Sequence, residues 1–488
     1  MWTKDMIHEA VEDQKRFFRT NETLDIDWRI HQLKRLKTAI RLYEDDLVSA
    51  LCEDLGRSEA EAYLADIGSL IMEINETIKG LKRWAKPELH LSGPACFPSV
   101  FTRVYKMPYG TTLIISPFNF PVLLSLGPLA AAIAGGNTAI IKASSKSPAT
   151  TRALQKVISE TYHPEYITVI DGGHDVADML LEERFDKIFY TGSPRVGSHV
   201  MEMAAKNITP VALELGGETG NWAIVRRDSD IRDAARKIAF FKAMNSGQIC
   251  ININQVAVEE KVYDEFIACL KAEFTRQLGE SPLDNPEYPH LISREAYDKC
   301  EKLASRYPFV SDEADGAAED PNVPDARILY GGHGDPETLR FEPTIIGPCS
   351  IDWDIVQHEL FCPILPVVPY KEAEEDALLD IIASREHGLA LYVFTKDKKR
   401  ARHIMTTQQY GGGCMNEVCL HLMVKGVPFN GTGHSGLGAY HGEWGFREFT
   451  HPQTVMTGNN RFNLSLREHP FGGVSNYYKD KIVRFFER

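Results

Sequence analysis

The sequence lacks any pair of cysteines at the CxxC spacing of a zinc or redox site, and its nine cysteines are scattered singly. A disulfide framework is not expected in a chain of 488 residues, so a reducing, cytoplasmic compartment is predicted. Positive charge is also scarce, because 54 Lys and Arg stand against 68 Asp and Glu, a net charge of −14. No basic stripe compensates for this excess of acid, which argues against nucleic acid as a partner.

Several catalytic motifs are missing as well. No Walker A sequence and no GxSxG elbow occurs, which disfavours a P-loop enzyme and a serine hydrolase. The match to GxGxxG at Gly431–Gly436 has no βαβ unit around it and is rejected as a dinucleotide loop. The histidines are mostly isolated, and no metal site is predicted.

One long segment, Met107–Ile141, lacks charge but does not look like a membrane span. Four prolines, Asn119 and the pair Gly135-Gly136 interrupt it. The segment is typical of a buried strand, a loop, a small-residue helix and a second strand in an α/β protein. The first twenty residues mix charges of both signs, so no targeting sequence is predicted there.

The patterns that are present predict an α/β protein with two domains. Residues 4–87 have helical spacing, with Ile30, Leu33, Leu36, Ile40, Tyr43 and Leu47 on one face. Residues 97–106 are rich in β-branched and aromatic residues, which indicates a strand outside the main core. Strand patterns, among them 138–142, 167–170 and 211–215, then alternate with helix patterns in two successive sets, as in parallel sheets flanked by helices. The acidic segment Ser311–Asp325 is predicted to be a surface loop.

Three short segments could carry chemistry. Cys250 ends the polar loop Asn245–Cys250, where a thiol could act as a nucleophile or could be a small buried residue. Glu214 stands in an apolar strand that stops at two glycines, which suits a general base or a paired buried carboxylate. Ser193 precedes a predicted helix and could help bind an anion or simply cap the helix.

Taken in order, the motifs resemble those of the aldehyde dehydrogenase superfamily over residues 10–457. The matching segments are Pro117–Pro121, Gly136–Lys142, Thr191–Ser193, Glu214–Gly217, Asn245–Cys250, Glu359–Phe361 and Pro428–Gly436. The segment Tyr440-His441-Gly442, with Phe446, Phe449 and His451, is similar to the class 3 branch, which includes fatty, aromatic and coniferyl-type aldehyde dehydrogenases. The chain departs from the family pattern at Glu218-Thr219-Gly220, at Cys362 and at Asn430.

The resemblance implies a Rossmann-type NAD(P)-binding domain over 1–96 and 110–214, an α/β catalytic domain over 215–449, and an oligomerisation arm and tail over 97–109 and 450–488. It also implies a homodimer, with NADP or NAD as cofactor and NADP at least tolerated. Ser145 stands where NAD-preferring relatives usually have Glu, and Lys142 and Lys146 could face a 2′-phosphate.

The resemblance further assigns roles to residues. Cys250 would form a covalent thioester, the Asn119 amide and the Cys250 backbone N–H would stabilise the oxyanion, and Glu214 would activate water. The cofactor would contact a set of residues along the chain: Lys142, Ser145, Thr191, Gly192, Ser193, Gly197, Leu215, Gly216, Glu359 and Phe361.

The expected reaction is therefore NAD(P)-dependent oxidation of an aldehyde, an apolar aliphatic or aromatic one, to its acid. One alternative is an acyl reductase or a CoA-acylating enzyme that uses the same thiol. The other is a catalytically silent binding protein that keeps the fold.

Overall fold

The computed structural model describes residues 2–92, 96, 99–310, 326–459, 461 and 484. The predicted surface loop at 311–325 lies outside these residues. The chain divides into two units, one formed by Met1–Trp84 with Pro108–Thr450 and the other by Ala85–Met107 with His451–Arg488.

The helices and strands follow one another in the order that the apolar patterns indicated. The α-helices are α1 (Lys4–Phe18), α2 (Ile26–Leu42), α3 (Glu44–Leu55), α4 (Glu59–Ala62), α5 (Ser69–Trp84), α6 (Leu123–Gly135), α7 (Pro148–Thr161), α8 (His174–Glu182), α9 (Pro194–Ala205), α10 (Ile231–Ala243), α11 (Tyr263–Leu278), α12 (Arg294–Ala304), α13 (Glu375–Ser384), α14 (Lys398–Thr407) and α15 (Gly442–Glu448). The strands are β1 (Glu88–Leu91), β2 (Phe101–Pro108), β3 (Thr111–Ile115), β4 (Thr138–Lys142), β5 (Ile167–Ile170), β6 (Lys187–Gly192), β7 (Val211–Leu215), β8 (Asn221–Val225), β9 (Ile253–Glu259), β10 (Arg327–Tyr330), β11 (Gly334–Asp335), β12 (Arg340–Phe341), β13 (Thr344–Gly347), β14 (Ile364–Tyr370), β15 (Ala390–Phe394), β16 (Gly412–Met415), β17 (Gly436–Leu437) and β18 (Thr450–Met456).

The N-terminal segment is helical, as predicted. Asp25 caps α2 by accepting a hydrogen bond from the Trp28 N–H. The predicted apolar face is divided between two helices, because the chain leaves helical geometry at Tyr43 between α2 and α3. A π-helical stretch, Tyr63–Gly68, joins α4 to α5.

The first sheet has the strand order β17-β7-β6-β3-β4-β5 and is parallel except that β17 runs antiparallel to β7. Along the chain β3, β4, β5, β6 and β7 alternate with α6, α7, α8 and α9. The strand order reverses at β3, which lies between β4 and β6. In open α/β sheets, ligands bind outside the carboxyl ends of the strands at such a reversal.

The second sheet has the order β10-β13-β14-β9-β8-β15-β16, and only β10 pairs antiparallel with its neighbour. Its inner strands are buried along their whole length, as at β8 and β9. Parallel strands buried on both faces have continuous apolar runs of this kind. The division of the chain into cofactor and catalytic domains at 214–215 remains a prediction.

The other unit contains β1, β2 and β18, which form a three-stranded sheet with β2 in the centre. As predicted, β2 belongs to neither large sheet; it runs from Phe101 to Pro108, and residues 97 and 98 of the predicted strand lie outside the described part of the chain. Among the described residues, no helix is long and apolar enough to span a membrane. The apolar segment 107–141 instead supplies β3, α6 and β4, and α6 is buried on nearly every side.

Candidate active site

A cavity of about 590 Å³ lies at the carboxyl ends of the first sheet. Residues from α12 and from the loop before Cys250 complete its wall. Most of the predicted site residues line it: Asn119, Thr191, Gly192, Ser193, Glu214, Gly216, Cys250, Glu359 and Phe361. The fold therefore brings together residues that are as much as 242 positions apart, from Asn119 to Phe361 (361 − 119 = 242).

A second cavity, of about 680 Å³, shares part of its wall with the first, including Lys146 and the segment Thr191–Ser193. It is lined by the ends of β3, β4 and β6 and by the predicted cofactor residues Lys142 and Ser145. This is the place where the strand order of the first sheet reverses.

The loop before Cys250 has an unusual backbone. Asn245, Ser246 and Gly247 all have positive φ angles, of 50°, 51° and 77°. Such a conformation is unfavourable for residues that carry a side chain, and each of them costs about 1–3 kcal/mol. A Cβ at Gly247 would lie 2.3 Å from the Cys362 carbonyl oxygen, so glycine is required there for close packing as well. The surrounding structure must hold this loop in place.

Cys250 follows this loop and lies half-buried on the cavity wall. Burial raises the pKa of its thiol to about 12, and the nearby Glu359 and Glu214 carboxylates add to the effect. Its surroundings in the protein therefore favour the protonated thiol. A positive charge brought into the cavity would favour the reactive thiolate.

Asn119 is buried beside the loop. Its side-chain Nδ2 donates to the Gln248 carbonyl at 3.1 Å, and its own carbonyl accepts from Asn245 Nδ2 at 3.0 Å. Because an amide nitrogen carries two hydrogens, one remains to face a developing negative charge in the cavity. The position suits the predicted oxyanion role.

A buried arginine that the sequence analysis did not identify holds Asn119 and the loop together. Arg57 donates to the Asn119 carbonyl, to Asn245 Oδ1 at 2.9 Å and to Asp66 Oδ2 at 2.6 Å. Its side chain is fully buried, and Glu61 accepts from the Asn245 backbone N–H at 2.7 Å. We call Arg57, Glu61 and Asp66 the support cluster. In the sequence these residues lie in a charged helical segment that looks like a solvated helix face.

Glu214 lies near the end of β7 and is only 4% exposed. Burial raises the pKa of its carboxyl well above the usual value, and the Glu448 carboxylate raises it further. Its Oε2 atom has no hydrogen-bond partner in the described part of the chain. At Gly436, the rejected glycine motif pairs with Glu214 as an edge strand and does not open a helix.

The predicted cofactor residues differ in their surroundings. Lys142 Nζ donates to the Ala143 and Gly172 carbonyls at 2.8 and 2.6 Å, and burial lowers its pKa to about 8. Ser193 caps α9 by accepting from the Val196 N–H at 3.4 Å, which is the alternative left open by the sequence. Ser145 is exposed at the rim of the second cavity.

Two of the predicted cofactor residues do not line either cavity. Gly197 and Leu215 instead lie against each other, since a Cβ at Gly197 would be 2.9 Å from Leu215 Cδ2. This contact brings α9 close to β7. Their contact with a cofactor stays a prediction.

Glu359 and Phe361 line the first cavity from the segment between β13 and β14, two strands of the second sheet. A Cβ at Gly216 would lie 2.1 Å from Glu359 Oε1, so the carboxylate covers the glycine pair that ends β7. Burial raises the pKa of Glu359 to about 8, although Lys299 and Lys242 act against it. Phe361 has a φ of 53° and meets Phe118 edge to face at 6.0 Å. Among the described residues, no group of three or more His, Cys, Asp or Glu side chains is arranged to hold a metal ion.

Comparison with protein families gives one match that covers most of the chain. The model described as "Aldehyde dehydrogenase family" matches residues 1–455. The 4,4'-diaponeurosporen-aldehyde dehydrogenase of Staphylococcus aureus is 35% identical over 475 residues, which is 97% of this chain and 99% of that protein. Aldehyde dehydrogenase family 3 member H1 of Arabidopsis thaliana is 33% identical over 447 residues, 91% of this chain and 88% of that protein.

Solved structures agree with this match. The substrate-bound state of Staphylococcus aureus AldH superposes with a TM-score of 0.90 at 34% identity and covers 99% of both chains. Glyceraldehyde-3-phosphate dehydrogenase GapN of Methanocaldococcus jannaschii, complexed with NADP, superposes with a TM-score of 0.80 at 25% identity and covers 94% of this chain and 95% of that one.

Proposed function

The chain belongs to the aldehyde dehydrogenase family, as its motifs predicted, and its relatives include the family 3 branch; on that premise we propose that it oxidises an apolar aldehyde with NAD(P)+ through a thioester on Cys250. One observation carries the proposal. Cys250, Asn119 and Glu214 line a single cavity, which lies at the carboxyl ends of the strands of the first sheet. A thiol, an amide donor and a carboxylate that line one cavity are the groups that acyl transfer to water requires.

The residues would act in order. Cys250 Sγ attacks the aldehyde carbonyl, and the free Asn119 amide hydrogen and the Cys250 backbone N–H stabilise the oxyanion. A bound NAD(P)+ supplies the hydride acceptor and a positive charge near the thiol. Glu214 then takes a proton from water, which hydrolyses the thioester and releases the acid.

Glu214 is suited to this last step by its isolation. Its unpartnered Oε2 is free to accept a proton from water, and its raised pKa makes it a stronger base than an exposed carboxylate. The same carboxylate argues against a CoA-acylating enzyme or acyl reductase, because a water-activating base would hydrolyse the acyl group before transfer. Turnover in the absence of CoA distinguishes these reactions.

The second cavity fits a dinucleotide. Its lining includes the N-terminus of α9, whose helix dipole favours a pyrophosphate, and Thr191 Oγ1 is buried without a partner in the described residues. Lys142 and the exposed Arg195 add positive charge to the wall. We place NADP or NAD there, with the nicotinamide end toward Glu359 and Phe361.

The aldehyde would be apolar because the surroundings of Cys250 are. Cys250 packs against a buried apolar cluster that includes Phe120 and Ile249, and Leu123 and Met244 pack against the same cluster. These apolar surroundings favour aliphatic or aromatic aldehydes over charged ones.

The three-stranded sheet supports a homodimer. β1 is exposed along its length, and β1 and β18 are the edges of that sheet, so their outer backbone groups can pair with another chain. The nine cysteines are free, which supports the predicted cytoplasmic location.

The decisive variant is Cys250→Ala. We expect it to lose aldehyde oxidation and any esterase activity while binding the dinucleotide almost as well as the unaltered chain, because the thiol forms the covalent bond but does not hold the cofactor. The matched control is Cys349→Ala, a buried thiol that donates to the Ile346 carbonyl and does not line this cavity. Substantial turnover by Cys250→Ala, measured with aliphatic and aromatic aldehydes and both cofactors, would disprove the assignment.

A further inference from the structure

Two cysteines other than Cys250 line the first cavity. Cys300 projects from α12, and Cys362 follows Phe361 directly. Both are buried in the same apolar cluster, and the Cys300 thiol lies near enough to Cys362 to change the pKa of its thiol. We call them the cavity dithiol. The proposed oxidation of aldehydes uses neither of them.

Two lysines surround the cavity dithiol with positive charge. Lys242 is fully buried, donates to the Ile253 carbonyl at 3.0 Å, and has no carboxylate within ion-pair distance among the described residues. The nearby Cys300 thiol and the charges of Lys242 and Lys299 lower the pKa of the Cys362 thiol, whereas burial raises that of Cys250. Cys362 therefore carries more of the reactive thiolate than Cys250 does.

We propose that Cys300 and Cys362 form a peroxide-reactive pair that closes to a disulfide and thereby blocks dinucleotide binding. The Cys362 thiolate attacks a peroxide oxygen, the O–O bond breaks, and Cys362 becomes a sulfenic acid while the departing hydroxide takes up a proton to form water. The Cys300 thiol then attacks that sulfur, the S–S bond forms, and the S–O bond breaks as hydroxide leaves with the Cys300 proton as a second water. Each sulfur loses one electron, and hydrogen peroxide accepts both.

The location of the pair explains why closure would affect the cofactor. A disulfide holds its sulfurs about 2 Å apart, closer than a hydrogen bond between thiols, so α12 and the 359–362 segment must be drawn together across the cavity wall. That segment includes Glu359 and Phe361, which we place against the nicotinamide end. The Cys362 carbonyl also touches Gly247, so the movement reaches the loop before Cys250. Only the predicted loss of dinucleotide binding rests on the proposed function; formation of the disulfide does not.

The chemistry is tested first by mass mapping. The Cys250→Ser chain, which removes the competing nucleophile, is treated with hydrogen peroxide and digested without reductant. We expect one cross-linked peptide pair that contains Cys300 and Cys362 and has lost two hydrogens. Adding Cys300→Ser or Cys362→Ser should abolish the pair, whereas adding Cys349→Ser, a buried thiol of the same apolar cluster, should leave it. No cross-link, or oxidation of Cys362 to sulfinic acid with Cys300 still reduced, would overturn the proposal.

The effect on the cofactor is measured with NAD+ and NADP+ on the same chain. We expect the oxidised protein to bind the dinucleotide at least about tenfold more weakly, because the disulfide would leave the binding-competent arrangement populated about a tenth of the time. Reduction with dithiothreitol should restore binding. Unchanged binding after complete cross-linking would overturn the blocking step. If the reduced protein bound neither dinucleotide, both the cofactor assignment and the blocking step would be overturned. The cross-linking experiment would still show whether Cys300 and Cys362 form a disulfide.

Discussion

Replacing Arg57 with lysine tests how the active site is held in place. Arg57 donates to three acceptors in different parts of the chain: the Asp66 carboxylate, Asn245 Oδ1 and the Asn119 carbonyl. A lysine ammonium is a single point charge, and it can keep the ion pair with Asp66 without spanning the other two acceptors. Arg57→Lys therefore removes the bonds to Asn119 and Asn245 and preserves the charge.

The size of the effect follows from these two bonds. Hydrogen bonds to charged groups are worth about 1.5–3 kcal/mol each, so the free energy of unfolding should fall by at most about 3–6 kcal/mol. Losing one oxyanion donor lowers kcat by about 10²–10³-fold. We expect the lower end of that range, because the Cys250 backbone N–H is retained and Asn119 still accepts from Asn245.

The matched control is Arg29→Lys. Arg29 is also buried, but it donates to the Thr23, Ala134 and Leu24 carbonyls and touches no active-site residue. Both variants should unfold at lower urea concentration, whereas only Arg57→Lys should slow the pre-steady-state burst of reduced cofactor. If both variants slowed the burst equally, or neither did, the positioning role of Arg57 would be refuted.

Three further outcomes are expected. Glu214→Gln should keep the burst of reduced cofactor but turn over slowly, because the acyl-enzyme accumulates. It should also lose the rise of the deacylation rate with pH that a base of raised pKa imposes. If the burst vanished in a folded variant, Glu214 would instead be needed before hydride transfer. The unaltered chain should use NADP at least as well as NAD. Ser145→Glu should shift the preference toward NAD, because a carboxylate at the rim of the second cavity repels a 2′-phosphate. If the unaltered chain had a specificity constant for NADP far below that for NAD, the first expectation would be wrong. Sedimentation at micromolar concentration should show a dimer, and a monomer would speak against pairing of two chains through the edges of the three-stranded sheet.

Sequence patterns predicted the first sheet well because its strands are short and buried. The predicted strands 138–142, 167–170 and 211–215 are present residue for residue, since an apolar run between helices leaves little choice of register. The edge strands β10, β16 and β17 were not predicted. β16 and β17 contain glycine, and a short edge strand has too little apolar pattern to be distinguished from a loop.

The site residues that lie in recognisable motifs were predictable from the sequence. Those that reach the site only through tertiary contacts were not. Cys250, Glu214 and Asn119 lie in segments that resemble a family. Arg57 and Asp66 do not, because in sequence a buried ion pair looks like two surface charges. In the same way, single cysteines at 300 and 362 gave no spacing that could indicate a pair, and only the tertiary structure brings them together.

The left-handed loop before Cys250 has a consequence for how activity appears during folding. Its support comes from Arg57 and Glu61, which precede Asn245 by 188 and 184 positions, so the loop gains its partners only after a very long chain closure. Contacts of such separation are slow to form, and neither large sheet needs them for its own strand pairing. On refolding from denaturant, recovery of a reactive Cys250 should therefore lag behind the return of secondary structure, and the catalytic assay would report the final assembly step of the chain.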